Sequence, residues 1–527
     1  MSLLSLDGLC VRIGAQSVLS GVNLALAPGE ILALVGESGS GKSMTALAIM
    51  GLLPERARAE GAVRFQGDDL LSLPERRMCR LRGNRIGMIF QEPMTALNPL
   101  MSIGDQVAET LIIHGRARRP EALRIARERL NRVGLGAERF PLGLYPHELS
   151  GGQRQRVAIA LAIALRPELL IADEPTTALD VTTQAGVLQL LRGLAREEDM
   201  ALILITHDLA VTAGLADRVA VMQDGRIVEE RRTARLFRAP SEPYTQALLA
   251  ASVPRPAPPL PVQDRILLRV EEARRSYTLP RPGPFAPHPV LPALDGVSFT
   301  LRAGEALGLV GASGCGKSTL TRAVLGLEPL QAGRITLDDR PVHPRMAAAA
   351  RAAMQVVFQD PYGSFDPRQR VEALIAEPFH LTGRPPDWRT RVADAMAEVG
   401  LNPDHRHRYI HEFSGGQRQR LAIARALITR PRLIVLDEAV SALDVRVREQ
   451  VLDLLARLRR AHGLAYLFIS HDLSVVRAVT QRCLVMEAGR IVEEGPTETL
   501  FTAPAHPATQ RLVAAVPRIP EAWKEPA

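Results

Sequence analysis

The segments GESGSGKS at residues 36–43 and GASGCGKS at residues 311–318 decide the fold of this chain. Both fit the pattern G-x-x-x-x-G-K-[ST], in which backbone N–H groups surround phosphates and the lysine reaches the β- and γ-phosphates. Only three of the 65 basic side chains are lysines, and two of them stand at the lysine position of these loops. The sequence therefore predicts two nucleotide-binding loops. They comprise Gly36, Glu37, Ser38, Gly39, Ser40, Gly41, Lys42 and Ser43, and Gly311, Ala312, Ser313, Gly314, Cys315, Gly316, Lys317 and Ser318.

Three further motifs repeat downstream of the two loops. They are LSGGQRQR and FSGGQRQR at residues 149 and 413, LLIADEPTTALD and LIVLDEAVSALD at residues 169 and 433, and ITHDL and ISHDL at residues 205 and 469. The second copy of each motif follows the first by 264 residues. This period indicates a duplicated domain, because solenoid repeats run only about 20–50 residues.

The boundary between the two copies is marked by composition. A chain of 527 residues is too long for one hydrophobic core. PRPAPPLPV at residues 254–262 cannot continue a helix and is typical of a stiff, extended spacer. We therefore predict a first nucleotide-binding domain at residues 1–250, a linker at 251–264, a second domain at 265–517 and a C-terminal tail at 518–527.

Composition also limits the classes of function. The net charge of +8 would suit a nucleic-acid partner, but no basic run is interleaved with aromatic residues, which make up 4% of the chain. A solvated arginine-rich surface is the preferred interpretation, and no nucleic acid is expected. No window approaches the roughly 18 uninterrupted apolar residues that cross a bilayer, so no membrane span of its own is expected. The four scattered cysteines argue against zinc, iron–sulfur or disulfide frameworks and suit a reducing cytoplasm.

Short apolar runs lead into the chemical motifs. GEILALVG and GEALGLVG end on the two loops, and LLIADE and LIVLDE end in two acids. Such runs are typical of buried parallel strands, and open α/β sheets bind ligands at the carboxyl ends of their strands. The expected fold class is α/β, with two tandem P-loop NTPase domains.

The polar residues that end these strands are candidates for phosphate chemistry. The aspartate of each strand can hold the Mg²⁺ that bridges the β- and γ-phosphates, and the glutamate after it can polarise an attacking water. A glutamine in each half can sense Mg²⁺ and water, and a histidine can donate to the γ-phosphate. The alternative is that these acids are merely solvated and that the histidines have a structural role. The repetition of the acids and histidines at the same offset in both halves disfavours this alternative. The candidate metal ligands are Ser43, Gln91, Asp173, Ser318, Gln359 and Asp437, and the candidate catalytic residues are Glu174, His207, Glu438 and His471.

With both SGGQ signatures intact, the chain resembles the ABC-type ATPases over roughly residues 3–250 and 265–515. The resemblance implies that each domain has a RecA-like core, an antiparallel β subdomain and a helical signature subdomain. It also implies head-to-tail packing, in which each ATP lies between one P-loop and the opposite signature. The first site would join Lys42, Ser43, Gln91, Asp173, Glu174 and His207 to Ser414, Gly415, Gly416 and Gln417. The second would join Lys317, Ser318, Gln359, Asp437, Glu438 and His471 to Ser150, Gly151, Gly152 and Gln153.

The segments GNRIGMIFQEPMTALNPL, PYTQALLAASVP and HPATQRLVAAVP look like the dipeptide/oligopeptide/nickel importer ATPases, and the fused form is similar to those of the Yej type. This resemblance implies two separate permease subunits, a periplasmic solute-binding protein and a peripheral position on the cytoplasmic face of the bacterial inner membrane. Import of peptides or related small solutes is the expected function. Nickel or metallophore import, export, and a soluble tandem ATPase acting on ribosomes or DNA are the alternatives.

The two halves differ at several positions that bear on nucleotide binding. The resemblance places an adenine-stacking aromatic at Tyr277 in the second half, whereas Ile13 stands there in the first. The second acidic motif has Ala439 and Val440 in place of proline and threonine. Cys315 lies in a P-loop, where a helix N-terminus would lower the pKa of its thiol and raise its reactivity.

Overall fold

The computed structural model describes residues 2–91, 96–177, 179–252, 262–279, 281, 287–360, 363–441 and 443–523. These residues form two compact units. The first contains described residues within 2–179, 183–252 and 517–523, and the second those within 180–182 and 262–516. Most of the linker predicted at 251–264 and the end of the predicted tail lie outside the described residues.

Each unit contains one six-stranded and one four-stranded sheet. In the first unit the six-stranded order is β10-β9-β3-β8-β7-β6, parallel except for the β9–β10 pair. The four-stranded sheet has the order β2-β1-β4-β5 and is antiparallel. These strands are β1 (Leu4–Ile13), β2 (Gln16–Leu26), β3 (Ile31–Val35), β4 (Ala57–Phe65), β5 (Asp68–Asp69), β6 (Ile86–Ile89), β7 (Leu169–Asp173), β8 (Ala201–Thr206), β9 (Arg218–Gln223) and β10 (Arg226–Arg232).

The central strands of the first unit are buried on both faces. All residues of β3, β7 and β8 are buried, and successive side chains of β7 alternate between two hydrophobic clusters. One cluster packs the sheet against the helical region at residues 103–163, and the other packs it against the antiparallel sheet. The helices of this unit are Lys42–Met50, Glu75–Leu81, Ile103–Ile113, Arg119–Arg132, Gly151–Ala162, Val181–Glu197, Leu209–Ala213, Thr233–Arg238 and Pro243–Ser252, with 3-10 turns at Pro146–Glu148 and Glu521–Trp523.

The second unit repeats this architecture. Its six-stranded sheet has the order β16-β17-β18-β13-β19-β20 and its antiparallel sheet the order β12-β11-β14-β15. The strands are β11 (Ile266–Thr278), β12 (Val290–Arg302), β13 (Ala306–Val310), β14 (Ala332–Leu337), β15 (Arg340–Pro341), β16 (Met354–Val357), β17 (Leu433–Asp437), β18 (Ala465–Ile469), β19 (Arg482–Glu487) and β20 (Arg490–Pro496). The helices are Lys317–Val324, Ala348–Ala352, Val371–Ala376, Trp388–Glu398, Gly415–Leu427, Val445–His462, Leu473–Val479, Thr497–Thr502 and Pro507–Ala515, with 3-10 turns at Glu377–His380, Pro403–His407 and Ile410–Glu412.

The observed sheets confirm the predicted α/β class with a mostly parallel core, an antiparallel β subdomain and a helical subdomain in each half. The apolar runs before each motif are strands, and the P-loops follow β3 and β13 directly. Among the described residues, no helix has the length and apolar character that crossing a membrane requires.

Candidate nucleotide-binding sites

The first P-loop connects β3 to the helix Lys42–Met50. Gly41 has φ 104°, and a Cβ there would approach Leu19 to 2.6 Å, so a side chain at this position would be both strained and crowded. The Lys42 ammonium is buried and donates to the carbonyl oxygens of Gly36 and Glu37, both at 2.8 Å. The lysine thus spans its own loop, at the amino end of a helix where anions bind.

The second P-loop has the same construction. Gly316 has φ 110°, and the Lys317 ammonium donates to the carbonyls of Gly311 at 2.8 Å and Ala312 at 3.0 Å. The Cys315 thiol is buried within this loop, with its sulfur 3.9 Å from the lysine nitrogen. Burial raises the pKa of this thiol and outweighs the nearby lysine charge. The expectation of a lowered pKa for Cys315 was therefore wrong, because desolvation of the thiolate is the larger effect.

A carboxylate and a hydroxyl meet beside the first P-loop. The Ser43 hydroxyl donates to Oδ1 of Asp173 at 3.1 Å, and burial raises the pKa of that aspartate. In the second unit, burial and then the charge of Glu438 raise the pKa of Asp437 to about 6. Hydroxyl and carboxylate oxygens are the hard ligands that Mg²⁺ prefers, so the residues present fit a magnesium ion bound with nucleotide.

Glu174 is held by three side chains at the end of β7. Its carboxylate accepts from Nε2 of Gln91 at 3.0 Å and the Thr177 hydroxyl at 2.8 Å, and lies 3.3 Å from Nδ1 of His207. Burial alone would raise the pKa of Glu174, but the contacts with His207 and Thr177 and the charge of Lys42 lower it to about 2. The structure therefore brings together Gln91, Glu174 and His207.

Glu438 has a different set of contacts. Oε1 of Glu438 lies 3.1 Å from Nδ1 of His471, and this contact lowers the pKa of the carboxyl against the opposing effect of burial. Ser441 replaces Thr177, and its hydroxyl donates to the backbone oxygen of Glu438 at 2.8 Å instead of to the carboxylate. Gln359 and Glu438 line a cavity of about 830 Å³ together with Ser318 and Asp437.

Both signature motifs begin a helix. The Ser150 hydroxyl accepts from the N–H of Gln153 at 3.4 Å, and the Gln153 side chain accepts from the N–H of Ser150 at 2.8 Å. Ser414 and Gln417 repeat this pair of bonds at 3.4 and 3.0 Å. The caps fix the start of the helices Gly151–Ala162 and Gly415–Leu427, where the glycine N–H groups and the helix dipole suit a phosphate.

Tyr277 is anchored beside the second P-loop. Its hydroxyl donates to Glu328 at 2.6 Å and lies 3.4 Å from the hydroxyl of Thr319, two residues after the P-loop lysine. The Arg275 guanidinium lies 5.3 Å from the centre of the tyrosine ring. Ile13 ends β1 at the corresponding position of the first unit. Adenine stacking on Tyr277 stays a prediction.

The structure shows two contacts in the first site that the sequence did not predict. Thr177 lies in the TTALD segment, but the spacing of its residues does not indicate that the Thr177 hydroxyl donates to Glu174. The hydroxyl of Tyr244 lies 3.1 Å from the backbone nitrogen of Glu37 in the first P-loop. The PYTQ segment that contains Tyr244 contributed only to the family resemblance. Its contact with the P-loop could not be predicted, because the two residues are 207 positions apart in the sequence.

The profile of the family described as "ABC transporter" matches residues 19–177 and 294–441, which include both P-loops and both acidic strands. The chain belongs to the ABC transporter family. A second profile, described as "Oligopeptide/dipeptide transporter, C-terminal region", matches residues 228–278 and 492–527.

Similar proteins share nearly the full length of this ABC ATPase. An uncharacterized ABC transporter ATP-binding protein YejF of Escherichia coli is 47% identical over 97% of this chain and 99% of its own. The peptidoglycan transport ATP-binding protein YejF of Agrobacterium fabrum is 47% identical, covering 95% and 93%. The glutathione import ATP-binding protein GsiA of Pectobacterium atrosepticum is 46% identical, covering 93% and 85%. These matches confirm the predicted fused tandem ABC ATPase and disfavour a protein acting on ribosomes or DNA.

Proposed function

We propose that this ABC ATPase powers a binding-protein-dependent importer of peptides or related small solutes. The observation that carries the ATPase part is a set of three residues found in each unit: a loop lysine, an aspartate at the end of the acidic strand and a glutamate in contact with a histidine. The importer part is supported by relatives that are named for glutathione import and peptidoglycan transport. The oligopeptide/dipeptide C-terminal profile favours peptides over nickel chelates.

In the first site, Lys42 and the loop N–H groups would bind the β- and γ-phosphates. Ser43 and Asp173 would hold Mg²⁺ with Gln91, and the corresponding ligands of the second site would be Ser318, Asp437 and Gln359. Bound Mg²⁺ would neutralise charge on the β- and γ-phosphates. The signature glycines, at helix starts, would add N–H donors for a γ-phosphate.

Glu174 suits the orientation of a water molecule better than the storage of a proton. A carboxyl with a pKa of about 2 is ionised at neutral pH and accepts hydrogen bonds readily, but it is a weak base. We propose that Glu174 orients the attacking water, while His207 holds the carboxylate and can donate to a phosphate oxygen. Glu438 and His471 would serve the second site in the same way.

Each unit exposes a pair of apolar side chains at corresponding positions of the chain. Leu327 and Phe358 line the cavity of the second unit and are 52% and 41% exposed. In the first unit, the corresponding Leu52 and Phe90 are 40% and 43% exposed. We propose that these surfaces receive cytoplasmic segments of two permease subunits, which in turn accept solute from a periplasmic binding protein.

The exposed residues of the two units differ in chemistry. Ile112 and Ile113 are exposed in the first unit, whereas His380 and Arg425 line the cavity of the second. The Arg425 guanidinium lies over the Phe365 ring at 4.3 Å and donates to the Ser364 carbonyl at 2.7 Å. This difference favours two non-identical permease subunits over two copies of one.

The proposed position is peripheral, at the cytoplasmic face of the inner membrane, through the permeases alone. The decisive experiment reconstitutes the ATPase with candidate permeases and binding protein in liposomes. Peptide-loaded binding protein should stimulate ATP hydrolysis and drive uptake of labelled peptide. Stimulation by a nickel chelate and not by peptide would contradict the peptide proposal. Flotation with protein-free liposomes is the control, and strong binding there would contradict recruitment by permeases.

A further inference from the structure

The helix Pro243–Ser252 contacts the first P-loop through the phenol of Tyr244. The backbone N–H of Glu37 donates to the hydroxyl oxygen of Tyr244 at 3.1 Å. The carbonyl of Gly36, which belongs to the same peptide group, accepts from the Lys42 ammonium at 2.8 Å. The Gly36–Glu37 peptide is therefore held at its N–H by Tyr244 and at its C=O by the lysine. Hydrogen bonds at both ends of one amide polarise it and strengthen each other.

The helix that carries Tyr244 is itself firmly anchored. The carboxylate of Glu229 is buried and accepts from the backbone N–H groups of Ser241 at 2.9 Å and Glu242 at 3.2 Å. The Tyr244 ring packs on a hydrophobic cluster that includes Phe237 and Leu248. The phenol therefore approaches the P-loop from a fixed support.

The C-terminal segment of the chain belongs to the same cluster. Ile519 and Trp523 pack against it, and the rings of Phe237 and Trp523 lie 5.7 Å apart. The regions matched by the C-terminal transporter profile thus include both Tyr244 and the C-terminal segment that packs on the same hydrophobic cluster.

The second unit builds the same anchor without the phenol. Glu493 accepts from the N–H groups of Ala505 at 2.9 Å and His506 at 3.0 Å, as Glu229 does in the first unit. Lys317 bonds the Gly311 carbonyl at 2.8 Å. Ala508 stands 264 residues after Tyr244, and its methyl group offers no hydrogen-bond acceptor.

We propose that Tyr244 is a positioning residue that holds the first P-loop ready for ATP, a support that the second P-loop lacks. Without the phenol, the loop would sample other conformations, and ATP binding would have to restore the order. One neutral hydrogen bond corresponds to about a two- to tenfold change in a dissociation constant. The change should appear in the affinity for ATP and in KM, with kcat nearly unchanged, because bound ATP itself orders the loop. The inference rests on ATP binding and not on the transported solute.

The test compares Tyr244→Phe with Tyr145→Phe in the full-length protein. Tyr244→Phe removes only the hydroxyl that contacts the loop, while Tyr145 is an exposed tyrosine elsewhere in the first unit. A fluorescent ATP analogue is titrated in a Lys317→Ala background to report the first site and in a Lys42→Ala background to report the second. ATPase kinetics without these background substitutions give KM and kcat.

Tyr244→Phe should weaken the first site about two- to tenfold and raise KM, with the second site and kcat unchanged. Tyr145→Phe should change neither site. Unchanged affinity of the first site in Tyr244→Phe would overturn the proposal. Equal weakening of both sites, or loss of kcat without a change in KM, would also overturn it, because the phenol would then act on general stability or on catalysis. Failure of peptide uptake would leave these outcomes unaffected, so the two proposals are tested separately.

Discussion

At the scale of single residues, the two glutamates that follow the acidic strands occupy a costly backbone conformation. Glu174 has φ 45° and Glu438 has φ 51°, in the left-handed region. A non-glycine residue there costs of the order of 1 kcal/mol and persists where the surroundings hold it. At both positions the carboxylate contacts a histidine. The left-handed backbone conformation of each glutamate therefore directs its carboxylate toward the histidine of the candidate site.

Replacing both glutamates with glutamine tests their proposed role. Glu174→Gln with Glu438→Gln should lower ATP hydrolysis at least about a hundredfold, roughly 3 kcal/mol of barrier, because a neutral amide orients water poorly. Each single substitution should remove at least the contribution of its own site. ATPase rates in the assembled transporter provide the measurement. An unchanged rate in either single variant would mean that the substituted site does not hydrolyse ATP.

Thr177 and Ser441 form a matched pair for testing how the glutamate is held. Thr177→Ala removes the donor to the Glu174 carboxylate, so the pKa of that carboxyl should rise. We expect kcat at the first site to fall by about tenfold, which corresponds to the lower end of the roughly 1.5–3 kcal/mol that bonds to charged groups are worth. Ser441→Ala removes a bond to a backbone oxygen and should have a smaller effect. Equal losses in the two variants would contradict this assignment.

The cysteines test the effect of burial on reactivity. Cys79 is exposed, whereas Cys315 is buried and its pKa is raised by desolvation. Maleimide at neutral pH should therefore label Cys79 before Cys315, and labelling of Cys315 should accelerate as the pH rises and the thiolate forms. Mass spectrometry of labelled peptides over time measures both rates. Preferential labelling of Cys315 at pH 7 would show that the loop opens enough to solvate the thiol.

At the scale of elements, the strands of the core were predictable because burial on both faces leaves continuous apolar runs such as LLIAD and LIVLD. The P-loops and signature helices were predictable because their glycines and caps act within a few residues. The contact of Tyr244 with Glu37 was not, since it depends on how two distant segments pack. The bond from Thr177 to the Glu174 carboxylate was not predictable either. The corresponding residue of the second unit, Ser441, donates to the backbone oxygen of Glu438 instead.

Glu229 predicts a pH dependence for the element that it anchors. Burial opposes ionisation, but the backbone N–H groups of Ser241 and Glu242 and the Ser241 hydroxyl lower the pKa of Glu229 below its ordinary value of 4.5. Its contribution to stability is therefore present above pH 4.5 and is lost as the pH falls through the lowered pKa. Chemical unfolding between pH 3 and 7 should show this loss, followed by the fluorescence of Trp523, which packs on the same cluster.

Glu229→Gln is the control for this pH dependence. The glutamine amide stays neutral between pH 3 and 7 and can form only part of the hydrogen bonds of the carboxylate. The variant should therefore be less stable at pH 7 and should lose less stability on acidification. An acid transition of the same size in the variant would assign the pH dependence to other carboxyls.

At the scale of the whole molecule, duplication has left two units whose proposed ATP sites are lined by different residues. Tyr277 is held by Glu328 beside the second P-loop, and Tyr244 supports the first. Ile13 offers only aliphatic contact where Tyr277 offers a ring, and stacking of a base on an aromatic ring is worth about 1–3 kcal/mol. Apolar burial of Ile13 should recover part of this, so we expect this position to make the dissociation constant of the second site about fivefold lower.

We therefore expect the two tyrosines to act on different sites, so that their effects should be separable in one chain. Tyr277→Ile should weaken the second site about fivefold, measured in the Lys42→Ala background, and leave the first site unchanged. Ile13→Tyr should tighten the first site by a similar factor, measured in the Lys317→Ala background, because a ring is added while Tyr244 stays in place. If neither substitution changes its site, adenine does not stack at this strand end. The difference between the two sites would then rest on the P-loop support alone, because Tyr244 has no counterpart at Ala508.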